Sequence, residues 1–241
     1  MRYLYLVLAL LFSLNTFAAD YAREKRWADE ILPAVLVGDP VWLDGPKGHR
    51  FLALYTPAAN ARAAVVVVHG LGVHPDWGLI SVLRQQLPEH GYSTLSVQMP
   101  VLAAEARGDA YPPTFPEAAE RLKRAVAWLK AKGYPKVAIV SHSLGSRMSY
   151  VYLSGAGGRE VAAWVSIGSP GSEDWSRLRL PVLDLYGEND LPAVLQNAGK
   201  RGKALRHPKS AQTKAVGADH FFEGQDAALI GYVKDYLDKT L

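Results

Sequence analysis

Cysteine is absent from the 241-residue chain, so no disulfide can staple it and no N-terminal cysteine can carry a lipid anchor. A strong charge of one sign is also missing. Lys and Arg number 27 against 23 Asp and Glu, and one of the net +4 charges is Arg2 at the very start. That balance is too mild to point to nucleic acid. Long apolar runs are lacking too, apart from Tyr3 to Leu14, which falls short of the roughly 20 residues of a membrane-spanning helix. With Arg2 before it and the small residues of Thr16-Phe17-Ala18 behind it, this run reads as a secretory signal covering residues 1–19. Cleavage is expected after Ala18, with Ala19 as the nearby alternative and a retained anchor as the competing reading. Repeats and low-complexity tracts do not occur.

What is present is a core-forming composition, 49% hydrophobic, spread evenly enough that residues 20–241 read as a single domain. Tyr21 to Val37 begins polar and basic. Arg50 to Tyr55 alternates as an early strand, expected at an antiparallel edge. Apolar runs at 65–69, 94–98, 137–140, 162–167, 182–186 and 213–216 have the length and continuity of strands buried on both faces of a parallel sheet. Helical patterns separate them at Trp77 to Glu89, Pro116 to Lys132 and Asp226 to Leu237. The alternation predicts an α/β fold, a doubly wound, mostly parallel sheet flanked by helices.

Ser141-His142-Ser143-Leu144-Gly145 follows the run Val137 to Val140 and opens a helical stretch at Ser146. A serine placed where a buried strand turns sharply into a helix has the layout of a nucleophile elbow, which exposes a hydroxyl to a base and to backbone N–H donors. Ser141 stands where that motif usually has glycine. Upstream, Val65 to Val68 runs into the turn His69-Gly70-Leu71-Gly72. Downstream, one strand ends at Gly187-Glu188-Asn189-Asp190 and another at Gly217-Ala218-Asp219-His220. The chain order is therefore Ser, Asp, His.

That order, with each candidate just past the carboxyl end of a strand, resembles the α/β-hydrolases over nearly all of the mature length. His69 to Gly72, Val73-His74-Pro75-Asp76-Trp77 and Ser96-Val97-Gln98-Met99-Pro100 also resemble a family of exported bacterial α/β-hydrolase-like proteins of unknown function. The resemblance implies the α/β-hydrolase fold and a Ser-His-Asp triad, whereas the expected periplasmic or secreted location rests on the signal segment alone. No substrate is implied.

On this reading Ser143 is the nucleophile, His220 the general base and Asp190 the acid that orients the imidazole. Of seven histidines, only His220 sits after the final strand and before the aromatic pair Phe221-Phe222. Glu188 and Asp219 are the alternative acids. The oxyanion donors are the backbone N–H groups of Leu71 and Leu144. Ser141, Gly145, His69 and Gly70 shape the elbow and the supporting loop, with His69 bracing it. No metal site and no cofactor are expected: His74 and Asp76 have no third ligand at suitable spacing.

The basic stretch Lys200, Arg201, Lys203, Arg206, His207, Lys209 reads as a solvated helix face, with contact to an anionic membrane surface or substrate as the alternative. Only Gly168 to Leu180 separates Ile167 from Pro181, so no large cap domain fits there. The substrate walls are expected from Leu71 to Trp77 and Val101 to Pro113, around an open site for a small-molecule or lipid-like acyl substrate. Loops 101–113 and 191–210 are the segments that would otherwise form a lid. A noncatalytic envelope protein on the same scaffold is the rival to an enzyme.

Overall fold

The computed structural model describes residues 19–241. The expected leader, except for Ala19, lies outside the described residues. No helix among those described is long and apolar enough to cross a membrane.

Eight strands form one sheet: β1 (Asp39–Asp44), β2 (Arg50–Thr56), β3 (Ala63–Val68), β4 (Tyr92–Val97), β5 (Val137–His142), β6 (Ala163–Ile167), β7 (Val182–Asn189) and β8 (Ala211–Asp219). Their spatial order is β1-β2-β4-β3-β5-β6-β7-β8. β2 pairs antiparallel with both β1 and β4, and every later pairing is parallel.

Continuous valines mark β3 because side chains of both parities are covered. Val66 and Val68 pack under α3 (Phe115–Ala131) and α4 (Leu144–Leu153), whereas Val65 and Val67 pack under α2 (Gly78–Gln86) and α6 (Asp226–Thr240). The helices meet the sheet through apolar stripes at helical spacing, Leu122, Val126 and Leu129 on α3 and Leu229, Val233 and Leu237 on α6. Each fully buried Val or Leu contributes about 1.5–3 kcal/mol, so these two layers fix the strand ends on which the site is built.

Two strand expectations require correction. Arg50 to Tyr55 is a strand but not the edge, because β1 lies outside it. Sequence pattern hides β1: Pro40 and two aspartates make Asp39–Asp44 look like a turn, and the strand is mostly exposed. A proline without an N–H is tolerated at a sheet edge. The run 213–216 is not buried on both faces either, since β8 closes the opposite edge and Ala215 and Ala218 are its buried positions.

Two further helices complete the chain. α1 (Tyr21–Ile31) lies over β2 through Ala28, Leu52 and Leu54, and α5 (Pro192–Ala204) follows β7. The basic stretch begins on α5, but Arg201 is not solvated. Its guanidinium is fully buried, with Nε 3.0 Å from both carboxylate oxygens of buried Asp184 and Nη1 donating to the Ser169 carbonyl at 2.7 Å. This ion pair ties α5 to β7. Between Ile167 and Pro181 the chain makes only one 3-10 turn, Trp175–Arg177, and no cap domain is inserted.

Candidate active site

The carboxyl ends of β3, β5, β6, β7 and β8 converge on one point, where an open α/β sheet characteristically presents its ligands. Ser143 leaves β5 with φ 54° and ψ −124°, in the left-handed half of backbone space that a non-glycine residue enters only when its surroundings hold it there. Its N–H donates to the Ile167 carbonyl at 2.8 Å.

The elbow needs little side chain around it. A Cβ on Gly145 would collide with the His69 carbonyl oxygen, and one on Gly70 would sit 3.1 Å from the Ser143 Cβ. Ser141 takes the place of glycine for a visible reason: its buried Oγ accepts a hydrogen bond from the Trp164 indole at 2.7 Å. Without that acceptor the indole N–H in the core would go unpaired, which is costly.

His220 Nε2 lies 3.0 Å from Ser143 Oγ, and His220 Nδ1 lies 2.6 Å from Asp190 Oδ1. In the neutral imidazole Nδ1–H therefore donates to the carboxylate, leaving Nε2 free to accept the serine proton. Asp190 also accepts from the Gly187 N–H at 3.0 Å and the Leu191 N–H at 2.8 Å. Burial pushes its carboxyl upward, but the bonds from His220 and these backbone groups outweigh it and hold the pKa below the ordinary aspartate value.

The competing acids point elsewhere. Glu188 Oε2 accepts from the Gly217 N–H at 2.9 Å, and Asp219 Oδ1 caps its own turn by accepting from the N–H groups of Phe221 and Glu223. Gly168, at φ 57°, passes directly beneath the imidazole, and a Cβ there would lie 3.0 Å from the His220 ring.

Leu144 is the first residue of α4, where an N–H has no intrahelical acceptor. Neither this group nor the Leu71 N–H donates to a protein acceptor among the described residues. His69 is fully buried and spans the loop. Its Nδ1–H donates to the Gly70 carbonyl at 2.9 Å while Nε2 accepts from the Met99 N–H at 2.9 Å. Because the Gly70 C=O and the Leu71 N–H belong to one peptide plane, this bond fixes the direction in which the Leu71 N–H points. Desolvation lowers the His69 pKa to about 3, so the ring is neutral.

His142 is the residue that motif reasoning passed over. It lies between the two elbow serines, buried, with its ring centroid 4.6 Å from that of His220 and its Nε2 donating to the His220 carbonyl at 2.9 Å. Burial first, and the neighbouring His220 second, lower its pKa to about 3. The available signal was the motif itself, which places the residue before Ser143 beside His220.

A cleft of about 270 Å³ opens over Ser143 and His220, walled by Leu71, Val73, Trp77, Leu191 and Phe221. The expectation that Val101 to Pro113 supplies a wall is not met; Leu191 and Phe221 supply it instead. A larger cavity of about 500 Å³ lies beneath α1 near Tyr21, Trp42 and His49, away from the serine. Asp76 holds Arg84 and Ser81, each at 2.6 Å, and is thereby committed to structure.

Comparison with solved structures agrees with this fold, while comparison by sequence reaches only a family of unknown function. The family described as Protein of unknown function (DUF3530) matches residues 38–120, a span that ends before the elbow. No curated protein matches by sequence. Among solved structures, the chain is similar to a dienelactone hydrolase from Anabaena variabilis at 20% identity and TM-score 0.72, covering 84% of this chain and 97% of that one. Est1E from Butyrivibrio proteoclasticus matches at 12% identity and TM-score 0.67, over 83% and 98% of the two chains. An α/β serine hydrolase without a lid from Xanthomonas campestris matches at 17% identity and TM-score 0.62, over 86% and 96%. With its mostly parallel sheet, its elbow at the end of β5 and these structural neighbours, the chain has the α/β-hydrolase fold.

Proposed function

We propose that the protein is an exported serine hydrolase that cleaves an ester, thioester or amide through an acyl-enzyme. Ser143 Oγ attacks the carbonyl carbon while His220 Nε2 takes its proton, and the Leu71 and Leu144 N–H groups receive the developing oxyanion. Asp190 fixes the imidazole tautomer and offsets the imidazolium charge. Collapse of the tetrahedral intermediate expels the alcohol, thiol or amine, which leaves with the proton from His220. A water molecule, deprotonated by the same nitrogen, then attacks the acyl-serine and releases the acid. The scheme uses neither metal nor cofactor.

The observation that carries this reading is the unbroken chain of hydrogen-bond distances from Ser143 Oγ through His220 to Asp190, 3.0 and 2.6 Å. The structural neighbours whose names include hydrolase support the same reaction class.

A fluorophosphonate probe applied to the processed protein, followed by peptide mapping, tests it. Modification at Ser143, abolished by Ser143→Ala in a protein that remains folded, is the expected result. A folded wild type that resists the probe would favour a noncatalytic envelope protein. Mass spectrometry of exported protein should find the mature N-terminus at Ala19 or Asp20.

A further inference from the structure

We infer that the site takes substrates whose acyl group is uncharged, apolar and small, up to about six aliphatic carbons or a single aromatic ring, and that it discriminates against acyl groups bearing a carboxylate. This rests on the hydrolase reading above and concerns what fills the cleft beside Ser143.

Three observations carry it. First, the cleft walls are Leu71, Val73, Trp77, Leu191 and Phe221; among the described side chains lining it, Ser143, His142 and His220 are the strongly polar ones, and the indole of Trp77 adds a single neutral N–H. Each of Ser143, His142 and His220 is committed. Ser143 and His220 face one another and His220 faces Asp190, while His142 Nε2 donates to the His220 carbonyl and its ring is held neutral with a pKa of about 3. Among the described residues, no lysine or arginine lines the cleft to receive a second carboxylate. A carboxylate brought there would lose water and gain no cationic partner to offset its charge.

Second, Leu71, Leu191 and Phe221 remain 41%, 46% and 43% exposed at the mouth of the cleft. Large apolar side chains grouped around a nucleophile are a surface that an apolar ligand covers, and each methylene buried there favours binding. Trp77 meets Phe221 edge-on with ring centroids 5.5 Å apart, so one wall is a braced aromatic surface.

Third, the volume limits the size. At about 270 Å³ the cleft lies below the roughly 300–1,000 Å³ of pockets that enclose drug-sized ligands. Beyond a few carbons, further methylenes would project into solvent and add little.

The test uses the processed protein and p-nitrophenyl esters, with the alcohol held constant. The specificity constant for the pentanoate ester should exceed that for the hemisuccinate, which is similar in length but carboxylate-tipped, by at least tenfold. From acetate upward it should rise to about hexanoate and then level or fall. Leu191→Arg, at an exposed position on the rim, should shift the pentanoate-to-hemisuccinate ratio at least fivefold toward the hemisuccinate. Fluorophosphonate labelling of Ser143 in the same preparation separates the two levels. Labelled protein that prefers the hemisuccinate, or whose specificity constant climbs continuously to palmitate, overturns this inference and leaves the hydrolase reading standing. Protein that is folded but not labelled overturns both.

Discussion

His142 Nε2 donates to the main-chain carbonyl of His220 across 2.9 Å, so the residue before the proposed nucleophile Ser143 holds the residue that is the proposed base. The bond joins the end of β5 to the turn after β8, two segments otherwise separated in the sheet by β6 and β7. It ties the His220 turn to the end of β5 without using Ser143 Oγ or the His220 ring nitrogens. His142→Leu should leave a folded protein whose kcat is about tenfold to a hundredfold lower, because small displacements of a base are costly in rate. His142→Gln, which retains an N–H donor, should recover much of the loss. Equal rates for the two variants in a steady-state ester assay would show that the bond does not position the base.

Two neutral imidazoles in the core make stability depend on pH. The folded pKa values of His69 and His142 are each lowered to about 3, chiefly by burial, against about 6.5 in the unfolded chain. Below pH 6.5 the unfolded state binds protons that the folded state refuses, so stability falls as pH drops from 6.5 toward 3. Each histidine contributes a slope of about 1.4 kcal/mol per pH unit in that window. Glu24 and Asp184, whose carboxyls are raised mainly by burial, act in the opposite sense in the acid range. The expected result is a urea midpoint that declines between pH 7 and pH 5, with a shallower decline in His142→Gln. Parallel declines in the two proteins would mean that His142 is not the group responsible.

The proposed acid, Asp190, can be separated from its neighbours by substitution. Asp190→Asn keeps the shape of the side chain but removes the charge that favours the Nδ1–H tautomer, and should lower kcat by about 10⁴. Glu188→Ala should stay within about twofold of wild type, since its carboxylate meets the Gly217 N–H and not the imidazole. Asp219→Ala should act on the His220 turn that it caps, lowering the melting temperature together with the rate. A reversal between Asp190→Asn and Glu188→Ala in kcat would transfer the role to Glu188.

The strand ends that carry Ser143 and Asp190 were legible because parallel strands buried on both faces are written as runs rich in Val, Ile and Leu, whereas the edge strand β8, with only Ala215 and Ala218 buried, was legible through the glycine-marked turn that leads to His220. The missed features break that code. β1 carries Pro40 and two aspartates because an edge strand has one side free of pairing and little to bury. α1 lacks an apolar stripe since its buried positions are Ala28 and Glu24, and Glu24 is buried through its bonds to Arg121 at 2.9 and 3.0 Å. Arg201 looked solvated for the same reason: composition registers its charge but not Asp184, seventeen residues away, which neutralises it. Cleft walls from Leu191 and Phe221 depend on where two loops meet, and no local pattern encodes that.

Arg23, a charged residue of α1, touches none of Ser143, Asp190 and His220 yet holds the loop beside them. Its Nη1 donates to the Leu102 carbonyl at 2.6 Å and its Nη2 to the Gly72 carbonyl at 3.2 Å, while the guanidinium lies 4.4 Å over the Trp27 ring. One planar cation thus clamps the loop bearing the Leu71 N–H to the segment after β4. Lysine cannot reproduce this clamp, because a single ammonium lacks the fixed fork that meets two carbonyls at once. Arg23→Lys should therefore loosen the Leu71 donor. The expected outcome is a kcat about tenfold lower with KM little changed, and a matching loss of affinity for a boronic acid that mimics the tetrahedral intermediate, since an oxyanion donor acts on the transition state more than on the ground state. Arg26→Lys, at an exposed position on the same helix, is the control and should alter neither quantity. If Arg23→Lys lowers the melting temperature but leaves boronate affinity unchanged, Arg23 supports the fold and not the oxyanion loop.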